Sequence, residues 1–362
     1  MSTPARREAR RLLDAFLAAG AEEVEAAVLQ PADLLLDLYG EDIRARAFVV
    51  HDPSRGDAML RPDFTVPVVR MHMEAGRDPA RYAYAGAVFR QQDEDDPDRP
   101  AEYLQAGFEI FGGSDPEEAE AEVFATLSAA LADLPLRAAT GDIGLLLAAV
   151  EGLSASPARK AALRRHLWRP RRFRALLDRY AGRTAPPPAR ERLLALADPF
   201  EGAGPEIGLR SRAEVEARLD ALRAEAAEPP LTAAEVALID ALLAIAAPAP
   251  AALETVRALA AGAPSLAPAA ERLARRLAAL ERRGIAPEAL RFEGSFGRTT
   301  LEYYDGFVFG LFAERRPDLP PVASGGRYDA LTRVLGQGRA VPAVGGAVRA
   351  GLAARLRFGG GR

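Results

Sequence analysis

YAYAGAVFRQQ (82–92) and YLQAGFEIFGG (103–113) read as the two arms of a β-hairpin. Side chains alternate between the faces of a strand, so Tyr82, Tyr84, Gly86, Val88 and Arg90 share one side of the first arm. On the second arm Tyr103, Gln105, Gly107 and Glu109 share a face, with Leu104, Ala106, Phe108 and Ile110 opposite. The connection, QQDEDDPDRPAE, is acidic and contains proline, which marks an exposed loop. The hairpin therefore presents Arg90, Gln105 and Glu109 from the polar side of a sheet whose other side is apolar. Gly86 and Gly107 leave room for something to lie on that polar side.

Upstream, residues 6–19 form an amphipathic helix pattern carrying Leu12, Leu13, Phe16 and Leu17. A second pattern, Val24 to Leu38, is broken by Pro31, with Pro31 and Asp33 placed to open a short helix. AFVVHD (47–52) and RGDAML (55–60) read as a strand and its return. Downstream, PEEAEAEVFATLSAAL (116–131) is a helix with acids at its N-terminus. Residues 144–283 are helical in pattern and cut by prolines, with no fixed repeat period. β-like sequence returns at 289–312 and 320–328. The sheet is split by a helical insertion: 1–143 and 284–362 form an α+β core, mainly antiparallel sheet flanked by helices, and 144–283 form the insertion.

Composition narrows the function. The 362 residues suffice for a full core. The absence of cysteine excludes disulfides, thiolate metal sites and a Cys nucleophile. His51, His72 and His166 show no metal-ligand spacing, so no metal and no cofactor is expected. No apolar stretch reaches membrane-spanning length and the N-terminus lacks an apolar signal region, which points to the cytoplasm. Net charge is −4, and nothing in the sequence supplies the basic face that an RNA-embracing protein carries, short of a local patch inside an acidic average.

Three further segments join the hairpin: LRPDFTVPVVR (60–70), LEYYDGFVF (301–309) and SGGRYDALTRVLG (324–336). All are read as strand motifs, the last with a Ser-Gly-Gly turn leading into a helix. Each is weak alone, since paired tyrosines pack cores and glycines make turns. A cation and an acid on one sheet face suit the carboxylate and ammonium of an amino acid, although a salt-bridged face would use the same residues.

The ordered set resembles the class II aminoacyl-tRNA synthetase core, histidyl type, over roughly residues 6–140 and 289–352. That resemblance implies that Asp63, Thr65 and Gln105 hold an α-amino group and that Glu109 and Tyr304 read an imidazole. Tyr303 and Tyr328 would line the pocket, with Arg90 facing the carboxylate or, in an active synthetase, the α-phosphate. The phosphate chemistry is altered. The catalytic arginine position holds Thr299, with Arg298 one residue away, a shift that turns a strand side chain to the other face. Gln92 replaces an acid of the ATP site and Leu352 the triphosphate-binding arginine. Two missing cations remove several kcal/mol of transition-state stabilisation. No anticodon-binding domain is expected after the last helix.

A histidine pocket without adenylation residues resembles the regulatory subunits of short-form ATP phosphoribosyltransferase, a synthetase paralogue family of histidine biosynthesis. The Asp-Phe of RPDFTVPVVR also matches that family, where the synthetase has Glu-Gly. The resemblance implies a non-catalytic, allosteric role: activating the short catalytic subunit and carrying feedback inhibition by histidine, as a homodimer within a hetero-oligomer, with no tRNA partner. The loop 91–102 and the insertion are the candidate contacts with that subunit. A histidyl-tRNA synthetase-like ligase and a free-standing histidine sensor are the alternatives.

Overall fold

The computed structural model describes residues 3–359 apart from 33–44, 55, 76, 93–95, 97, 206 and 300–301. The chain opens with α1 (Pro4–Ala18), β1 (Glu22–Glu23), β2 (Leu29–Pro31), β3 (Val49–Asp52), β4 (Gly56–Leu60) and α2 (Thr65–Ala75). The hairpin follows as β5 (Ala80–Phe89) and β6 (Glu102–Phe111), then α3 (Pro116–Ala130), β7 (Leu136–Asp142) and α4 (Ile143–Glu151). A helical stretch comprises α5 (Pro157–Arg165), α6 (Pro170–Tyr180), α7 (Pro188–Ala195), α8 (Arg212–Ala227), α9 (Ala233–Ala244), β8 (Ala246–Pro248), α10 (Ala249–Gly262) and α11 (Ala267–Arg282). The chain ends with β9 (Arg291–Glu293), β10 (Phe307–Ala313), β11 (Ala323–Arg327), α12 (Asp329–Leu335), β12 (Ala343–Arg349) and α13 (Ala350–Phe358).

Nine strands form one sheet in the order β1-β5-β6-β12-β11-β10-β7-β9-β8, and β2-β4-β3 form a small second sheet. The run from β5 to β7 is antiparallel throughout, while β1 joins β5 and β9 joins β7 in parallel. The architecture is α+β, as the hairpin alternation implies. One face of the large sheet is the apolar one. Phe16 of α1 packs on Phe108 with ring centroids 5.9 Å apart, and Phe124 of α3 packs on Phe309 at 5.2 Å. α3 starts where the sequence places it: the Asp115 carboxylate accepts from Glu118 N at 3.0 Å, and Pro116 occupies the first turn, where its missing N–H is no loss.

Several elements differ from the sequence reading. TVPVVR is helix, not strand: Pro67 sits in the first turn of α2, and Val68 N already donates to Phe64 O at 2.9 Å. Tyr303 and Tyr304 lie in the connection before β10. Ser324-Gly325-Gly326 is the body of β11 and makes no turn. The chain is extended as β2 through Pro31; the short helix expected from Asp33 lies outside the described residues. β7 has no counterpart in the sequence reading, yet it pairs with β10 over its full length. LRAATGD lacks the β-branched run that marks most strands, and only its neighbours make it one.

β7 is also where the helical stretch meets the core. Arg276 of α11 is buried and donates from Nε to Glu120 Oε2 of α3 (2.6 Å) and from Nη2 to Asp142 Oδ2 of β7 (2.7 Å). Arg327 adds a 3.1 Å bond to the other Glu120 oxygen. Replacing Arg276 by Met would leave Glu120 with Arg327 alone and Asp142 with only its bond from Gly144 N, at a cost of about 3 kcal/mol. Urea unfolding of Arg276→Met should show that loss; a change below about 1 kcal/mol would mean that the network adds no net stability.

Candidate functional site

The floor of the site is built from side chains that lie across glycines of the neighbouring strand. Gly107 opposes Tyr84, and a Cβ there would overlap the tyrosine ring. Gly345 opposes Glu109, and a Cβ there would overlap the carboxylate. A Cβ on Gly326 would stand 2.8 Å from the Tyr304 ring. Only residues without side chains let this second layer lie flat on the sheet.

Glu109 is fully buried. Its Oε1 accepts from Thr65 Oγ1 (2.9 Å) and Tyr84 OH (2.8 Å), and its Oε2 accepts from Tyr328 OH. Burial pushes the carboxyl up to about 7; the three hydroxyl donors restrain the rise and the charge of Asp63 adds to it. Burial, together with Glu109, raises Tyr84 and Tyr328, so both hydroxyls keep their protons and donate. Burial, Glu109 and Asp63 raise Tyr304 as well. Asp63 accepts from Tyr303 OH at 3.2 Å. The Tyr303–Tyr304 connection is pinned by the next residue: Asp305 accepts from Ala330 N (2.6 Å) and Asp329 N (3.1 Å) at the start of α12. The cost is a carboxyl raised to about 6, first by burial and then by Asp329.

Above this floor lies a cavity of about 730 Å³. Asp63, Thr65, Arg90, Gln105, Tyr303 and Tyr304 line it, six of the eight residues expected from sequence. Glu109 and Tyr328 are buried beneath and form no part of the wall. Arg90 is held by a 2.8 Å bond from Nε to Pro62 O. Gln105 Oε1 is buried and has no hydrogen-bond partner, an acceptor in want of a donor.

The room attributed to Gly86 and Gly107 is filled by the protein itself. Arg61 and Phe64 occupy the space over Gly86, with the guanidinium 3.9 Å from the Phe64 ring centre, and Tyr84 occupies the space over Gly107. The open volume is displaced along the same face to Gly310, Ser324 and Ala347, which oppose one another across β10, β11 and β12. Tyr84 escaped the sequence reading as a site residue, although its position on the Glu109 face was the available signal. Arg349 lines the cavity opposite Gln105, and no signal short of the β6–β12 pairing marks it.

The altered positions are equally clear. Arg298 is buried at the cavity edge; its Nε donates to Leu167 O at 2.8 Å and its guanidinium lies 4.9 Å from the Phe173 ring centre. Burial, with the charge of Arg174, pulls its pKa down to about 10. Thr299 is exposed on the cavity wall. Gln92 donates to Arg90 O at 3.3 Å. Leu352 is buried in α13 and lines a different cavity, beside Tyr103. Among the described residues no group of His, Asp and Glu is arranged to hold a metal.

The family model described as histidyl-tRNA synthetase matches residues 2–227 and 211–351. A solved ATP phosphoribosyltransferase regulatory subunit/histidyl-tRNA synthetase from Bacillus halodurans superposes with a TM-score of 0.67 at 22% identity, covering 98% of this chain and 79% of its own. A histidine–tRNA ligase subunit from Alicyclobacillus acidocaldarius gives 0.60 at 25% identity, covering 98% and 93%. Fold and floor thus define a class II core of the histidyl-tRNA synthetase type. Two curated relatives, both named ATP phosphoribosyltransferase regulatory subunit, lie closer in sequence. That of Mesorhizobium japonicum is 35% identical over 91% of this chain and 92% of its own; that of Brucella canis is 32% identical over 90% of each. The chain belongs to the ATP phosphoribosyltransferase regulatory subunit family, and its role is regulatory and non-catalytic.

Glu109 also sets a pH dependence. The carboxyl ionises near 4.5 in the unfolded chain and near 7 in the folded one, so the folded state holds the extra proton between those values. Its contribution to stability is complete below the lower value and is lost as pH rises through the upper one. Glu109→Gln should remove that slope, so that urea midpoints at about pH 5 and about pH 8 lie closer together in the variant. An unchanged gap would assign the slope to other groups.

Proposed function

We propose that the cavity binds free histidine, and that its occupancy decides how the chain acts on the catalytic subunit of short-form ATP phosphoribosyltransferase. The empty-handed chain activates that subunit, and histidine converts activation into feedback inhibition. A ligand transmits such a signal only by binding the active and inhibited assemblies unequally.

The observation that carries the reading is the buried, partnerless Gln105 Oε1 on a wall shared with Asp63, Thr65 and Arg90. An ammonium donates three hydrogen bonds, and these are three acceptors for it; a carboxylate suits Arg90. The imidazole ring then falls to Tyr304, with Glu109 and Tyr328 behind it. A carboxyl poised near 7 beneath hydroxyl donors favours a ring that titrates in the same range. In this reading residues 1–143 and 284–362 are the sensing core and 144–283 an inserted helical segment. Homodimerisation belongs to the proposal. Val28 and Leu29, with Val49 and Val50 of β3, are exposed apolar residues on and beside the small sheet, a patch that suits a second copy. The chain works in the cytoplasm; no helix among the described residues is long and apolar enough to cross a membrane.

Two measurements test the pocket. Calorimetry on Glu109→Ala should show histidine affinity reduced at least about tenfold. Gln105→Met should weaken binding about tenfold while leaving stability unchanged or higher, because the substitution removes an unsatisfied buried acceptor. Unaltered affinity in both variants would reject the site. Mixing tests the role: the chain alone should show no transferase activity, should raise that of the short catalytic subunit, and should do so less in the presence of histidine. An unaltered rate on mixing, or histidine-dependent pyrophosphate exchange by the pure chain, would overturn the proposal.

A further inference from the structure

The acidic average hides a strongly basic segment. Residues 157–183 carry ten Lys and Arg against a single Asp, in a chain whose net charge is −4. The structure folds this segment into α5, the elbow His166–Arg169 and α6, with Leu163, Leu167, Phe173 and Leu177 turned inward. That leaves Arg164, Arg165, Arg171 and Arg172 exposed, with Arg165 at the rim of a cavity it shares with Arg218 of α8. Arg164 pairs with Glu151 at 2.8 Å. No carboxylate among the described residues pairs with Arg165 or Arg171. The first turn of α6 contains no acid, so its N-terminal partial charge adds to the arginines and is not offset by them.

This surface is mechanically continuous with the cavity. Pro170, the first residue of α6, lines the cavity wall. Arg298, at the cavity edge, holds the elbow through Leu167 O and lies against Phe173 of α6. Arg169 of the elbow binds Glu302 at 2.9 Å, and both side chains are largely buried. Glu302 immediately precedes Tyr303 and Tyr304. A ligand that moves the two tyrosines therefore pulls on an ion pair whose other end carries the arginine face.

We propose that the outer arginine face of α5 and α6 is the surface through which the chain docks an acidic face of its catalytic partner, with the Glu302–Arg169 pair as the connection to the cavity. The inference rests on the function proposed above and adds the location and chemistry of the contact. A protein partner is favoured over single-stranded nucleic acid by the aromatic residues of the segment. Phe173 and Tyr180 are buried and Trp168 is partly covered, so no open ring is offered for a base to stack on.

The test compares the wild-type chain with Arg165→Glu/Arg171→Glu, and with Arg192→Glu/Arg333→Glu as an equal charge change on exposed residues elsewhere. The readouts are the chain concentration that half-activates the short catalytic subunit, histidine affinity by calorimetry, and thermal unfolding to verify the fold. The first pair should raise the half-activating concentration at least tenfold, with a larger effect at low salt than at high salt, and leave histidine affinity within twofold. The control pair should shift it less than twofold. Equal shifts from both pairs, or none from the first, would overturn the proposal. So would binding of a labelled RNA hairpin that the first pair abolishes while activation stays intact. Glu302→Gln should keep both activation and histidine binding yet reduce the effect of histidine on the half-activating concentration. An undiminished effect would remove the connection from the proposal. If the wild-type chain itself fails to activate, the proposed function falls, and this surface with it.

Discussion

A fully buried carboxyl group is the constraint around which the sheet is organised. Glu109 is tolerable in its place only because three hydroxyls turn towards it, from Thr65 of α2, Tyr84 of β5 and Tyr328 before α12. Each donor has to be delivered from a different element, and each delivery imposes a further requirement. Tyr84 needs Gly107 beneath its ring, Glu109 needs Gly345 beneath its oxygens, and Tyr304 needs Gly326. Adding a single methyl group at any of these positions displaces one of the groups around the charge. A partly satisfied network at such a buried place is worse than an apolar one.

Recognition and phosphate chemistry are separable in this fold because they draw on different parts of it. The floor comes from the middle of the sheet and from the first turn of α2. The positions that differ from the synthetase pattern lie elsewhere: Thr299 in the connection before β10, Gln92 in the loop after β5, Leu352 in α13. The hydrogen bonds of Glu109 come from Thr65, Tyr84 and Tyr328 and involve none of these three. Changes at those positions therefore leave the hydrogen bonds of the floor in place.

Much of this was legible in the sequence, for identifiable reasons. Strict alternation in 82–92 and 103–113 reports the period of a pleated strand, so the hairpin and the face shared by Gln105 and Glu109 followed directly. Strand neighbours distant in the chain were not legible. β12 lies beside β6, so Gly345 and Arg349 acquire meaning only once that pairing is known. The glycines were misread for the same reason: Gly86 and Gly107 looked like space for a ligand, but the side chains that fill it come from Arg61, Phe64 and Tyr84. TVPVVR has the composition of a strand and is a helix, since a proline in the first turn costs nothing and tertiary contacts outweigh local preference. The basic segment at 157–183 was averaged away by the acids around it.

Arg298 ties the cavity edge to the helical stretch. Moved by one residue, Arg298 keeps its place at the cavity edge but spends its hydrogen bond on Leu167 O and its planar face on Phe173. Burial of that cation, beside Arg174, lowers its pKa to about 10, so the guanidinium is held there at some electrostatic expense. Such an expense persists only where the surrounding structure over-determines the position. Here the surroundings are the elbow between α5 and α6 and the Glu302–Arg169 pair next to the two tyrosines. Arg298 thus joins the wall of the cavity to a helix pair that carries exposed arginines. Any ligand that reorders Tyr303 and Tyr304 is thereby coupled to that surface through short, mostly buried contacts, which is the physical minimum for transmitting occupancy to a partner.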